Sequence, residues 1–154
     1  MTGAGKHPIP AVLAVVIRDG QALLVQRANP PDQGLWGFAG GKIDRGETIF
    51  DAAQRELFEE THVHATAQHV ISTLDAISYD PDGTIAFHYL LIAVLCEWIS
   101  GTPKAADDAL DARWIPIATM ETELQLSRDV ASLARDALAI AANGKGAGQS
   151  PSAP

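Results

Sequence analysis

The sequence predicts an α/β fold of the α+β kind, a mixed β-sheet sandwiched between helices. Three observations carry that prediction. Two apolar runs near the N-terminus meet at a tight hairpin signal, an amphipathic helix follows a long loop, and a further pair of apolar runs precedes a second helical pattern. With 154 residues, 47% of them hydrophobic and 19% charged, the chain suits one compact domain with a full core. That domain is assigned to residues 11–142. Met1–Pro10 and residues 143–154 are rich in Gly, Pro, Ser and Ala without apolar periodicity, and read as flexible ends.

Taken in order, Ala11–Ile17 and Ala22–Gln26 are strands joined at Asp19-Gly20, a pair suited to the positive φ angles of a two-residue hairpin. Ala28–Gly46 carries many Gly and Pro residues and reads as loop, long enough to be functional. A helix is expected from Ile49 to Thr61, with Thr48 as N-cap and Asp51 three residues on, a variant of the capping box. Val63–Tyr79 and Thr84–Trp98 read as strands around a turn at Asp82-Gly83, and Ala112–Ile115 as a short strand. Arg128–Ala142 has helical spacing and is expected to pack on the sheet.

Composition excludes several functions. The net charge is −8 with no basic stripe, so a nucleic-acid partner is not expected. No apolar run reaches the roughly 18 residues of a membrane span, and Met1–Pro10 lacks the apolar centre of a secretory signal. Cys96 is the only cysteine and lies in an apolar run, so it reads as a buried residue rather than a nucleophile. A lone thiol suits a cytoplasmic location.

One segment carries chemistry. It runs from Gly41 through Glu47 to Arg55-Glu56-Leu57-Phe58-Glu59-Glu60 and Val63. On a helix, Glu56, Glu59 and Glu60 share one face, and three carboxylates so close repel unless a hard cation relieves them. Ile49, Phe50, Ala53 and Leu57 form the expected apolar arc, with Glu56 and Glu60 at its flanks, where a merely solvating stripe is not expected. The glycines before the helix let backbone approach a ligand, and the helix N-terminus favours an anion. Taken alone, these features leave a solvated acidic face and a metal site both open.

The segment resembles the Nudix box: glycine, five residues, glutamate, seven residues, then Arg-Glu-apolar-any-Glu-Glu-any-Gly-apolar. Gly41, Glu47, Arg55, Glu56, Leu57, Glu59, Glu60 and Val63 match in register. His62 stands where the family has a glycine that ends the helix, and Ala39 where many members have proline. Beyond the box, Leu23–Arg27, Gly34–Phe38, His88–Leu91 and Asp107–Trp114 make the chain similar to the group that includes ADP-ribose pyrophosphatases.

The resemblance implies a Nudix fold and a hydrolase that uses Mg²⁺ or Mn²⁺ to cut the pyrophosphate of a nucleoside diphosphate linked to another moiety, ADP-ribose first. It implies Glu56 and Glu60 as direct metal ligands, Glu59 as a ligand directly or through water, and a carbonyl of Gly40 or Gly41 in the same shell. Arg55 then orients Glu56 and Glu59, and Glu47 fixes the loop to the helix or joins the metal through water. Asp107 and Asp108 occupy the region from which relatives take a general base, although they read equally as solvated turn acids, with Glu97 a rival that also reads as an outward strand residue. Arg27, Lys42 and Arg45 are expected on the rim as phosphate contacts, and Trp36 against the base, although Trp36, Phe38 and Tyr79 read equally as core. His88, Trp98 and Trp114 are assigned to structure. The expected partner is a small nucleotide, with no nucleic acid or membrane, and relatives often form homodimers. Two other functions stay open: a house-cleaning triphosphatase on oxidised nucleotides, and a non-catalytic nucleotide sensor. The intact glutamates and the lack of room for a second domain argue against the sensor.

Overall fold

The structure, a computed structural model, describes residues 7–147. Its elements follow in the order β1 (Ile9–Arg18), β2 (Gln21–Arg27), β3 (Trp36–Gly37), β4 (Ala39–Lys42), α1 (Ile49–Thr61), β5 (His64–Tyr79), β6 (Ile85–Ser100), β7 (Ala109–Pro116), α2 (Met120–Glu123) and α3 (Val130–Ala147). The first hairpin forms as expected, with Asp19 and Gly20 both at positive φ, 52° and 74°. α1 has the expected bounds, and the Thr48 hydroxyl accepts from the Asp51 N–H at 3.1 Å.

Several expectations need correction. The segment Ala28–Gly46 is not all loop, since β3 and β4 lie within it. Ile9 and Pro10, placed in a flexible end, begin β1, and α3 runs on through Ala147. Residues 1–6 and 148–154 of those ends lie outside the described residues. The apolar arc of α1 is also displaced. Ala52, Ala53 and Leu57 are fully buried, whereas Ile49 and Phe50 are each 37% exposed.

Strand order is β3-β2-β1-β6-β5, with β4 paired to β1 and β7 to β2. β1 is the organising strand. One edge runs parallel to β6 from Ile9 to Val16; the other is shared, first by β4 across Ala11–Ala14 and then by β2 at Ile17 and Arg18. Because β4 and β2 split that edge, the sheet opens between them. Alternation along β1 sends Val12, Ala14 and Val16 into one core with α1, and Val15 into a second core with Leu133, Ala134 and Ala137 of α3. One sheet is thus covered on both faces by helices, as the sequence predicts. Cys96 is buried in the first core, where desolvation pushes its thiol up to about 12, so it is a packing residue. No helix among the described residues is long and apolar enough to cross a membrane.

Candidate active site

The site grows from the last two turns of α1. Helical spacing carries the face of Ala53 and Leu57 on to Glu60, so Glu60 lies inside the packed face, 8% exposed, rather than at its flank. The helix ends at His62, which adopts the left-handed conformation (φ 61°) and returns its N–H to the Phe58 carbonyl at 2.9 Å. Histidine therefore reproduces the backbone geometry of the expected glycine. Its ring lies 5.7 Å from that of Phe58, which stacks on His64 at 4.4 Å.

Arg55 ties the preceding loop to the helix. Its Nε and Nη2 donate to the two oxygens of Glu47 at 2.7 and 2.9 Å, Nη2 also reaches the Lys42 carbonyl at 3.1 Å, and Nη1 donates to Glu56 at 3.0 Å and Glu59 at 3.1 Å. This forked contact holds the Glu47 carboxyl down at about 2, helped by the Asp44 N–H. The same acids raise Arg55 above its ordinary value, so it stays a fixed cation.

Glu56 and Glu60 face the opening beside β4. The Gly40 N–H donates to Glu60 Oε2 at 2.8 Å, and the Glu56 carboxylate fills the space where a Cβ on Gly41 would stand. Burial pushes Glu60 up to about 8, against the Gly40 N–H and Arg27, which pull it down; the nearby charge of Glu56 adds to the rise. Burial also raises Glu56, opposed by Arg55. Two desolvated carboxylates pressed against glycine backbone are a donor set that fits a hard divalent cation, with water completing its shell. Among the described residues no three His, Cys, Asp or Glu side chains converge as a ready-made metal site. Glu59 is turned onto Arg55, so the expected trio contributes two acids and one outward neighbour.

The loop before β7 supplies further acids and is hydrogen-bonded to the end of α1. Lys104 and Ala106 donate their N–H groups to the last carbonyls of α1, Thr61 at 2.9 Å and Glu60 at 3.1 Å. Asp107 follows at positive φ (54°) and lies close enough to raise both Glu56 and Glu60. Asp108 makes structural contacts: its carbonyl accepts from the Ala28 N–H at 3.0 Å and its carboxylate from Asn29 at 3.3 Å. Glu97 is an exposed strand residue held by Gln68 at 2.7 Å, away from the cleft.

These groups line a cleft of about 600 Å³, with Arg27, Lys42, Asp44, Asp107 and Asp108 on its wall. Arg27 is anchored through Nε to the Pro31 carbonyl at 2.7 Å. Two expected contacts are corrected. Arg45 is exposed and does not line the cleft, and Trp36 is 6% exposed in the second core, with Arg113 5.4 Å above its ring. Tyr79, 64% exposed, does not line the cleft either, whereas Phe38 does. Sequence reasoning passed over the Gly40 N–H and Asn29, whose signals lay only in the turn-forming composition of their segment.

The chain is similar to several known proteins. The ADP-ribose pyrophosphatase of Methanocaldococcus jannaschii is 32% identical over 111 residues, 72% of this chain and 63% of that protein. The human 8-oxo-dGDP phosphatase NUDT18 is 30% identical over 133 residues, 79% of this chain and 39% of that protein. The match thus spans less than two thirds of either relative's length. Among solved structures, the NUDIX domain of Shewanella oneidensis NrtR, in complex with ADP ribose, superposes with a TM-score of 0.72 at 27% identity, covering 90% of this chain and 91% of that one. The NUDIX domain model matches residues 7–136, which take in every strand, α1 and the carboxylate site, and the chain belongs to the NUDIX family.

Proposed function

We propose that the chain hydrolyses the pyrophosphate bond of a nucleoside diphosphate linked to another moiety, with ADP-ribose first among its substrates and Mg²⁺ or Mn²⁺ as cofactor. The observation that carries this reading is the buried carboxylate of Glu60 with the part-buried carboxylate of Glu56 beside it, set against Gly40 and Gly41 in the wall of a cleft of about 600 Å³. Glu56, Glu60 and a carbonyl of Gly40 or Gly41 would hold the metal, with Glu59 reaching it through water. When bound, the metal neutralises phosphate charge and lowers the pKa of a water at the reacting phosphorus.

The other roles belong to the chain itself. Arg55 locks Glu56 in place and joins it to Glu47 and the glycine strand, so the carboxylates are set before substrate arrives. Arg27 and Lys42 bind phosphate oxygens at the cleft wall. Asp107 accepts the proton of the attacking water, since it stands beside Glu56 and Glu60 without a hydrogen-bond partner of its own among the described contacts. The M. jannaschii relative favours ADP-ribose; NUDT18 favours a second reading, an oxidised nucleotide as substrate. A panel of ADP-ribose, dinucleotides, and canonical and oxidised nucleoside di- and triphosphates, with products identified, separates the two. Turnover is expected with Mg²⁺ or Mn²⁺ and is expected to vanish in EDTA. Full turnover in metal-free buffer, or none on any nucleotide, overturns the proposal.

A further inference from the structure

The chain leaves β6 at Ser100, opposite His64, and reaches β7 through Gly101–Ala106, which form no regular element. Such a segment has to be placed by contacts with its surroundings. What places it is the end of α1. A helix leaves its last carbonyls without intrahelical donors. Here Lys104 and Ala106 supply N–H groups to Thr61 and Glu60, and Ala105 between them packs on the first core. Glu60 is therefore held twice. Its carboxylate accepts from Gly40, and its carbonyl accepts from Ala106, the residue before Asp107. One backbone hydrogen bond thus indexes Asp107 to Glu60.

That bond depends on how closely the start of the segment approaches the exit of α1. Gly101 adopts φ 99°, where an L side chain is strained. A Cβ there would stand 2.7 Å from the His62 carbonyl oxygen and 3.2 Å from the Val63 Cα, backbone atoms that cannot swing aside. The Gly101 carbonyl accepts from Trp98 Nε1 at 3.0 Å, and the Arg18 guanidinium lies 3.6 Å from the centre of the Trp98 ring. We propose that Gly101 is a positioning residue for the reaction: its close seat on His62 and Val63, braced by Trp98, holds the segment down on α1 so that Asp107 enters the cleft beside Glu60. A larger residue at position 101 must lift the chain off His62. The far end is held separately, by the Ala28 N–H on the Asp108 carbonyl, so the displacement falls on Lys104, Ala106 and Asp107. The inference rests on Asp107 as the proton acceptor of the proposed reaction and names what places it.

A double-mutant cycle separates positioning from a merely structural role. Wild type, Gly101→Ala, Asp107→Asn and the double variant would be assayed in Mg²⁺ with ADP-ribose, or with the nucleotide of the panel that turns over fastest. Gly101→Ala is expected to lose about 10-fold or more in kcat with little change in KM, the scale of a small misplacement of a reacting group. It should lose nothing further in the Asp107→Asn background. Amide hydrogen exchange on the metal-free protein gives a readout without turnover. Protection at Lys104 and Ala106 should fall, while the Gly40 amide, which donates to the Glu60 carboxylate, keeps its own. Trp98→Phe removes only the donor to Gly101 and covers the case in which Gly101→Ala does not fold; it should show the same pattern at smaller amplitude. Equal losses of kcat in both backgrounds, or unchanged protection at Lys104 and Ala106, would overturn the assignment and leave the proposed reaction standing. A silent Asp107→Asn would remove the proton acceptor itself, and this assignment with it.

Discussion

Replacing Glu60 by glutamine separates what the carboxylate costs the fold from what it gives the reaction. Glutamine keeps the shape and can still accept from the Gly40 N–H, but it carries no charge. In the folded protein Glu60 titrates near 8, against an ordinary value of 4.5. A carboxyl raised in this way contributes its full stability below pH 4.5, loses it as pH climbs toward 8, and is level beyond. Between pH 4.5 and 7 the loss amounts to roughly 3 kcal/mol at 1.36 kcal/mol per unit. For a chain of this size that is on the order of 10 °C in Tm. Scanning calorimetry in EDTA should therefore show wild type and Glu60→Gln melting together near pH 4.5 and the variant melting higher at pH 7. Added Mg²⁺ should raise wild type more than the variant, because the cation holds the charged form. Turnover of the variant should fall by about 10²-fold or more. A stability difference that stays flat with pH would refute the reasoning, since it would mean that Glu60 is not desolvated in the native state.

Five other substitutions probe neighbouring parts. Asp107→Asn should lower kcat by about 10²-fold with little change in KM, whereas Asp108→Asn should leave kcat near wild type; steady-state kinetics that reversed the two would move the proton acceptor to the other acid. Gly40→Ala would drive a Cβ into the Val12 carbonyl and should cost stability by about 2 kcal/mol or more in urea melts, while a Cβ at Gly41 meets first the Glu56 carboxylate, a side-chain end that can yield by giving up its contact with Arg55, so Gly41→Ala should fold but lose activity. Arg55→Lys cannot reproduce the forked contact with Glu47 and should lose about 10-fold or more in kcat/KM despite keeping its charge; an unchanged value would reduce Arg55 to a surface ion pair.

Much of this was legible in the sequence because local chemistry agreed with the fold. Thr48 caps the helix it announces, Asp19-Gly20 makes its turn, and the spacing of Glu56 and Glu60 places both beside the glycine strand. The illegible parts depended on contacts distant in the chain. β3 and β4, of two and four residues, are too short for alternation to show, and they form because β2 and β1 offer edges. Trp36 was expected at the substrate and is core, since its neighbours come from the α3 side of the sheet. The helical wheel placed Glu60 at a flank because Ile49 and Phe50 drew the apolar arc toward the first turn, which the tertiary packing leaves half open. Asp107 and Asp108 were indistinguishable as letters. The structure distinguishes them by a left-handed backbone at Asp107 and a hydrogen bond from Asn29 to Asp108.

The two cores on opposite faces of the sheet have a consequence for how such a molecule can change. The reacting end of the cleft is built on the α1 face and the other end on the α3 face, with β1 contributing alternate residues to each. Side chains that share no partners make nearly additive contributions. Substitutions in the second core, around Leu74 and Leu133, can therefore be absorbed on the α3 face while the packing of α1 that sets Glu56, Glu60 and Arg55 stays undisturbed.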